Sequence, residues 1–109
     1  MQDNRSENVV LIGKKPIMNY VVACLTIFNS GKSYVVVRAR GMAISRAIDT
    51  VQLLGKAFVK NLEIKDINIG TQEFMKEDNV ESSSSTIEIT INKPSSNIIQ
   101  FESGNNKGD

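Results

Sequence analysis

The chain lacks histidine and tryptophan and carries one cysteine, Cys24. One thiol excludes a disulfide within the chain. Without histidine, Cys/His zinc sites have no ligand set, and serine–histidine or cysteine–histidine catalysis has no base. Long apolar runs are missing too. The longest stretch without a charged residue, Pro16–Gly31, is broken by Asn19, Thr26, Asn29 and Ser30. It is short and polar for a membrane span, which needs about 20 apolar residues. It reads as a buried helix, so no membrane partner is expected. Met1–Asn8 is polar and holds Asp3 and Glu7, unlike a secretory leader. The lone cysteine fits a reducing compartment. No metal, no cofactor and no enzyme activity are expected, because the carboxylates, lysines and serines form no recognisable acid/base pair.

What is present suits one small domain. The 109 residues give 12.0 kDa, enough for a single core. The net charge of +1 hides an asymmetry. Residues 1–61 hold nine Lys/Arg and three Asp/Glu, for +6, and residues 62–109 hold four and nine, for −5. A basic half points to a polyanion partner, and a merely solvated charged face is the plainer reading.

Hydrophobic periodicity predicts the order β-α-β-α-β-β. Residues 1–8 form a polar lead-in, expected to be flexible. Val9–Gly13 is a short buried strand, with Pro16 in the first turn of the helix that follows. Ile17, Val21, Cys24, Leu25 and Phe28 share one helix face, which makes Cys24 a core residue. Ser33–Arg40 alternates. Val35, Val37 and Ala39 should face the core, with Arg38 and Arg40 outward. A second helix is expected over Met42–Val59. Its apolar face would be Ile44, Ile48, Val51, Leu54 and Phe58. Thr50 would lie on the polar face, and Arg46 would pair with Asp49. Leu62–Thr71 and Thr86–Asn92 are strands, the first with a bulge at Lys65–Asp66. Residues 72–85 join them as an extended hairpin arm. Residues 94–109 form a polar tail with one apolar patch, Ile98, Ile99 and Phe101. The fold class is α/β of the two-layer α+β type: a four-stranded mixed sheet with two helices on one face.

If the first two strands are adjacent and parallel, Lys14, Lys15, Arg38 and Arg40 meet at two helix N-termini. Cations beside free N–H groups suit phosphates. Two unrelated solvated charge pairs are the alternative.

Three segments carry a family resemblance: Val-Val-Leu-Ile-Gly-Lys-Lys-Pro-Ile-Met-Asn-Tyr (9–20), Arg-Ala-Arg-Gly-Met-Ala-Ile-Ser-Arg-Ala-Ile-Asp-Thr-Val (38–51) and Ser-Thr-Ile-Glu-Ile (85–89). They resemble Alba, the small archaeal chromatin protein family, over about residues 8–93. The resemblance implies a fold like the C-terminal domain of translation initiation factor three, assembled as a homodimer or as a heterodimer with a paralogue. It implies binding of double-stranded DNA and of RNA with little sequence preference, and a cytoplasmic location on the chromosome. Lys14 carries over as an acetylation point, which implies an acetyltransferase and a deacetylase as partners. Lys15 and Arg40 carry over as contacts, Phe58 as a meeting point of dimers along DNA, and the arm as a minor-groove element. Arg38, Asn19, Tyr20 and Met42 complete the candidate surface. Tyr20 also has the spacing of a core residue.

Two features depart from the family pattern. Met42 stands where many archaeal members have a second arginine. The arm is acidic, with Glu73, Glu77, Asp78 and Glu81 against Lys76. Two other functions compete with chromatin work. One is an RNA chaperone or a subunit of a ribonuclease P-type particle, and the other is a structural dimer that binds a protein.

Overall fold

Strand β1 (Val9–Leu11) runs parallel to β2 (Tyr34–Arg40), with Val10 beside Val37. Helix α1 (Ile17–Asn29) makes the crossover between them. After helix α2 (Ile44–Leu53), β3 (Glu63–Met75) and β4 (Glu81–Asn92) form a hairpin, and β4 inserts antiparallel beside β2. The sheet order is β1-β2-β4-β3. This computed structural model describes residues 8–77, 79 and 81–94. The expectations for residues 1–7, for Asp78 and for the tail beyond Pro94 fall outside them.

The core lies between the two helices and β1, β2 and β4. Val35, Val37 and Ala39 meet Ile87, Ile89 and Ile91 on the helix side of the sheet, as their alternation predicts. Val21, Cys24 and Phe28 of α1 close on them, with Ala47 and Val51 of α2 and Leu54 just beyond its end. Strand β3 lies at the open edge of the sheet, and every residue of it is exposed. The bulge occurs where it was expected. Ile64 pairs with Ile91 and Asp66 with Thr90, so Lys65 is the extra residue. It brings Ile64, Ile67 and Ile69 into one row opposite Ile91, Ile89 and Ile87.

Several boundaries differ from the sequence reading. β1 stops at Leu11 rather than Gly13, and β2 starts at Tyr34. β3 and β4 run on through the arm, with Gln72 opposite Ser84, Phe74 opposite Ser82 and Met75 opposite Glu81. Serines carry no apolar alternation, but their small side chains fit a ladder held by backbone hydrogen bonds. Asn79 turns the chain with φ 65°, a left-handed conformation that asparagine tolerates.

The second helix is three pieces: a 3-10 turn over Gly41–Ala43, α2, and a π turn over Leu54–Phe58. The Val59 N–H donates to the Leu54 carbonyl, five residues back, at 2.8 Å. That wide turn rotates the end of the helix and leaves Phe58 47% exposed, off the apolar face assigned to it. Ile48 is also exposed. Thr50 replaces them in the buried stripe of Ala47, Thr50, Val51 and Leu54. Its hydroxyl donates to the Arg46 carbonyl at 2.7 Å, so it enters the core with its donor satisfied.

Candidate nucleic-acid interface

The parallel pairing of β1 and β2 brings their C-terminal ends together. The Ile12 N–H donates to the Arg38 carbonyl at 2.9 Å. From these ends the chain enters the Gly13–Pro16 loop before α1 and the Gly41–Ala43 turn before α2. Lys14, Lys15 and Arg40 are all exposed on this edge. Neither helix has a side-chain cap, and neither first turn holds an acidic residue. The first N–H groups of a helix lack intrahelical partners, and the dipole adds positive potential there. Gly41 sits at φ 57°, where a side chain would be strained.

The two outward arginines differ in their partners. Arg38 Nε lies 2.7 Å from Glu88 Oε2 on the neighbouring strand. Arg40 Nη1 donates to the neutral Gln72 Oε1 at 3.4 Å. Among the described residues Arg40 has no carboxylate partner, whereas Arg38 is ion-paired with Glu88.

Two further residues shape the lysine loop. Tyr20 is buried, and its hydroxyl accepts the N–H groups of Gly13 at 2.9 Å and of Lys15 at 3.0 Å. The phenol therefore lies under the loop, and Tyr20 is not a ring presented to solvent. Arg46 does not turn to Asp49. Its Nε donates to the Gly13 carbonyl at 3.0 Å, and its Nη2 donates to the Lys15 carbonyl. Helical spacing places Arg46 on a polar face, but no local signal says that a loop 31 residues earlier in the chain passes over it.

The Alba family's sequence profile matches residues 8–71, more than half of the chain. The chain belongs to the Alba family. Alba from Thermoplasma volcanium matches with a TM-score of 0.73 and 35% identity, covering 78% of this chain and 99% of its own. ALBA1 from Trypanosoma brucei shares the fold, with a TM-score of 0.67 at 23% identity over 83% of this chain and 72% of its own. Membership makes this a protein of a nucleic-acid-binding family.

In this Alba chain, the other candidate residues fall in separate places. Asn19 is exposed on α1 and lines a shallow groove with Lys15 and Tyr20. Met42 is 94% exposed in the turn after Arg40. Phe58 lies beyond the far end of α2, roughly 20 Å from the basic edge at 1.5 Å per residue. The exposed acidic residues Glu73, Glu77 and Glu81 lie at the outer end of the hairpin. Cys24 is fully buried, and burial pushes its thiol up to about 12, so it is no nucleophile. Among the described residues no acidic or thiol cluster could hold a metal, and no helix is long and apolar enough to cross a membrane.

Proposed function

We propose that the protein is a dimer that binds double-stranded DNA and RNA through their phosphates, with little sequence preference. The observation that carries this reading is the single edge that holds Lys14, Lys15, Arg40 and two uncapped helix N-termini. Such groups position a backbone and carry no base code. The acidic arm repels phosphate, so binding rests on the body of the domain.

Dimerisation is supported by Ile64, Ile67 and Ile69, exposed by 54%, 53% and 80% in one row on edge strand β3. An apolar row of this kind is the mark of a contact surface. A second copy covering it doubles the basic edge about a two-fold axis. Acetylation of Lys14 fits its position, because Lys14 takes no part in the bonds that hold its loop. The modification removes one charge and leaves the loop in place. The chromosome-organising role, the cytoplasmic location and the modifying enzymes extend this reading from the family resemblance.

The test is titration of wild type and of Lys14→Ala/Lys15→Ala/Arg40→Ala against labelled duplex DNA and duplex RNA. Binding that is lost in the variant supports the reading. A variant that binds like wild type overturns it.

A further inference from the structure

We propose that Tyr20 and Arg46 are positioning residues that hold the lysine loop in its binding form without themselves touching nucleic acid. This rests on the phosphate-binding reading above. The loop is gripped at four backbone groups. Tyr20 accepts both flanking amides, those of Gly13 and Lys15. Arg46 donates to both flanking carbonyls, again those of Gly13 and Lys15. Lys14 lies between the gripped residues; its own N–H and carbonyl take no part in these four bonds, and its side chain is exposed.

The grip comes from two helices at once. Tyr20 is in the first turns of α1, and Arg46 is in the first turn of α2. The loop is therefore fixed relative to both helix N-termini, which are the other donors of the edge. Ordering a loop before binding removes that entropy cost from the binding step. Glycine at position 13 belongs to the same device. A Cβ there would stand 3.3 Å from the Tyr20 hydroxyl, crowding the atom that accepts both amides.

The hydroxyl and the ring of Tyr20 predict opposite results. Tyr20→Phe keeps the ring and loses only the acceptor. If the ring stacks on a base, affinity is unchanged. If the hydroxyl positions the loop, duplex affinity falls by about five- to tenfold, the effect of one or two lost hydrogen bonds. No cation is removed, so the salt dependence of binding keeps its slope. Arg46→Lys provides the second variant. It retains the charge but cannot bridge two carbonyls with a planar fork, and it should behave as Tyr20→Phe does.

The experiment measures duplex affinity over a salt series for wild type, Tyr20→Phe and Arg46→Lys, together with amide hydrogen exchange at Gly13 and Lys15 in the free proteins. Thermal unfolding confirms that each variant is folded. Faster exchange at those two amides, with weaker binding and an unchanged slope, is the expected result. Wild-type affinity in both variants overturns the positioning role, whether or not exchange rises. Wild-type protein that binds neither duplex overturns the functional reading itself, and this proposal with it.

Discussion

Arg38 and Glu88 face each other across β2 and β4 with 2.7 Å between Nε and Oε2, while the side chain of Arg40, two residues on, bonds among the described residues to the neutral Gln72. The strand thus carries one occupied cation and one available cation. Arg40→Ala should weaken duplex binding several-fold more than Arg38→Ala. Glu88→Gln should release Arg38 and tighten binding, with a salt slope steeper by about one phosphate contact. Stability should change by at most about 1 kcal/mol, because the pair is about half exposed to solvent. Anisotropy titrations of the three variants check the order. Equal losses for the two arginines would contradict it.

Ile67 sits at the centre of the exposed row on β3. Ile67→Asp should place a charge where the second copy packs and yield monomers near 12.0 kDa in light scattering, against twice that mass for wild type. The fold should survive, because Ile67 is 53% exposed in the single chain. A variant that stays dimeric would place the dimer contact elsewhere.

Lys14→Gln imitates acetylation. Its salt slope should fall by about 0.9, the contribution of one phosphate contact on duplex DNA. Its unfolding temperature should match wild type, since the four bonds to Gly13 and Lys15 persist. An unchanged slope would remove Lys14 from the contact set.

Cys24 gives a prediction in alkali. Its thiol is raised from the ordinary 9.0 to about 12 by burial. Between those values the unfolded chain has lost the proton and the folded chain retains it. The stability contribution is therefore fully present below pH 9 and declines as pH rises toward 12. Cys24→Ala should show a shallower loss of stability over that window. In native protein at pH 8 the thiol should resist a disulfide reagent until the chain unfolds. Rapid labelling of folded protein would contradict the buried placement.

Much of the fold was legible because the relevant signals are local. The alternation of Val35, Val37 and Ala39, and of Ile87, Ile89 and Ile91, exposes a core face by period alone. The Lys65 bulge shows as a change of phase. Adjacency of the lysine and arginine segments follows once β1 and β2 are taken as parallel. Tertiary contacts decide the rest. The roles of Arg46 and Tyr20 rest on hydrogen bonds to a loop whose path no pattern encodes. Thr50 reads as polar until its hydroxyl is seen to bond within its own helix. Phe58 follows the 3.6-residue period on paper, and a π turn that begins four residues earlier, at Leu54, breaks that period. The arm strands continue through serines because backbone pairing does not require an apolar alternation.

The central claim is that phosphates bind at the edge formed by Lys14, Lys15 and Arg40. The most direct measurement is the affinity of wild type for duplex DNA between 50 and 200 mM salt, about the range over which phosphate contacts reveal themselves, beside the same series for Lys14→Ala/Lys15→Ala/Arg40→Ala. The account predicts a steep linear fall of log affinity with log salt for wild type, and a slope reduced by about 2.7 in the triple variant. Equal slopes for the two proteins would contradict it.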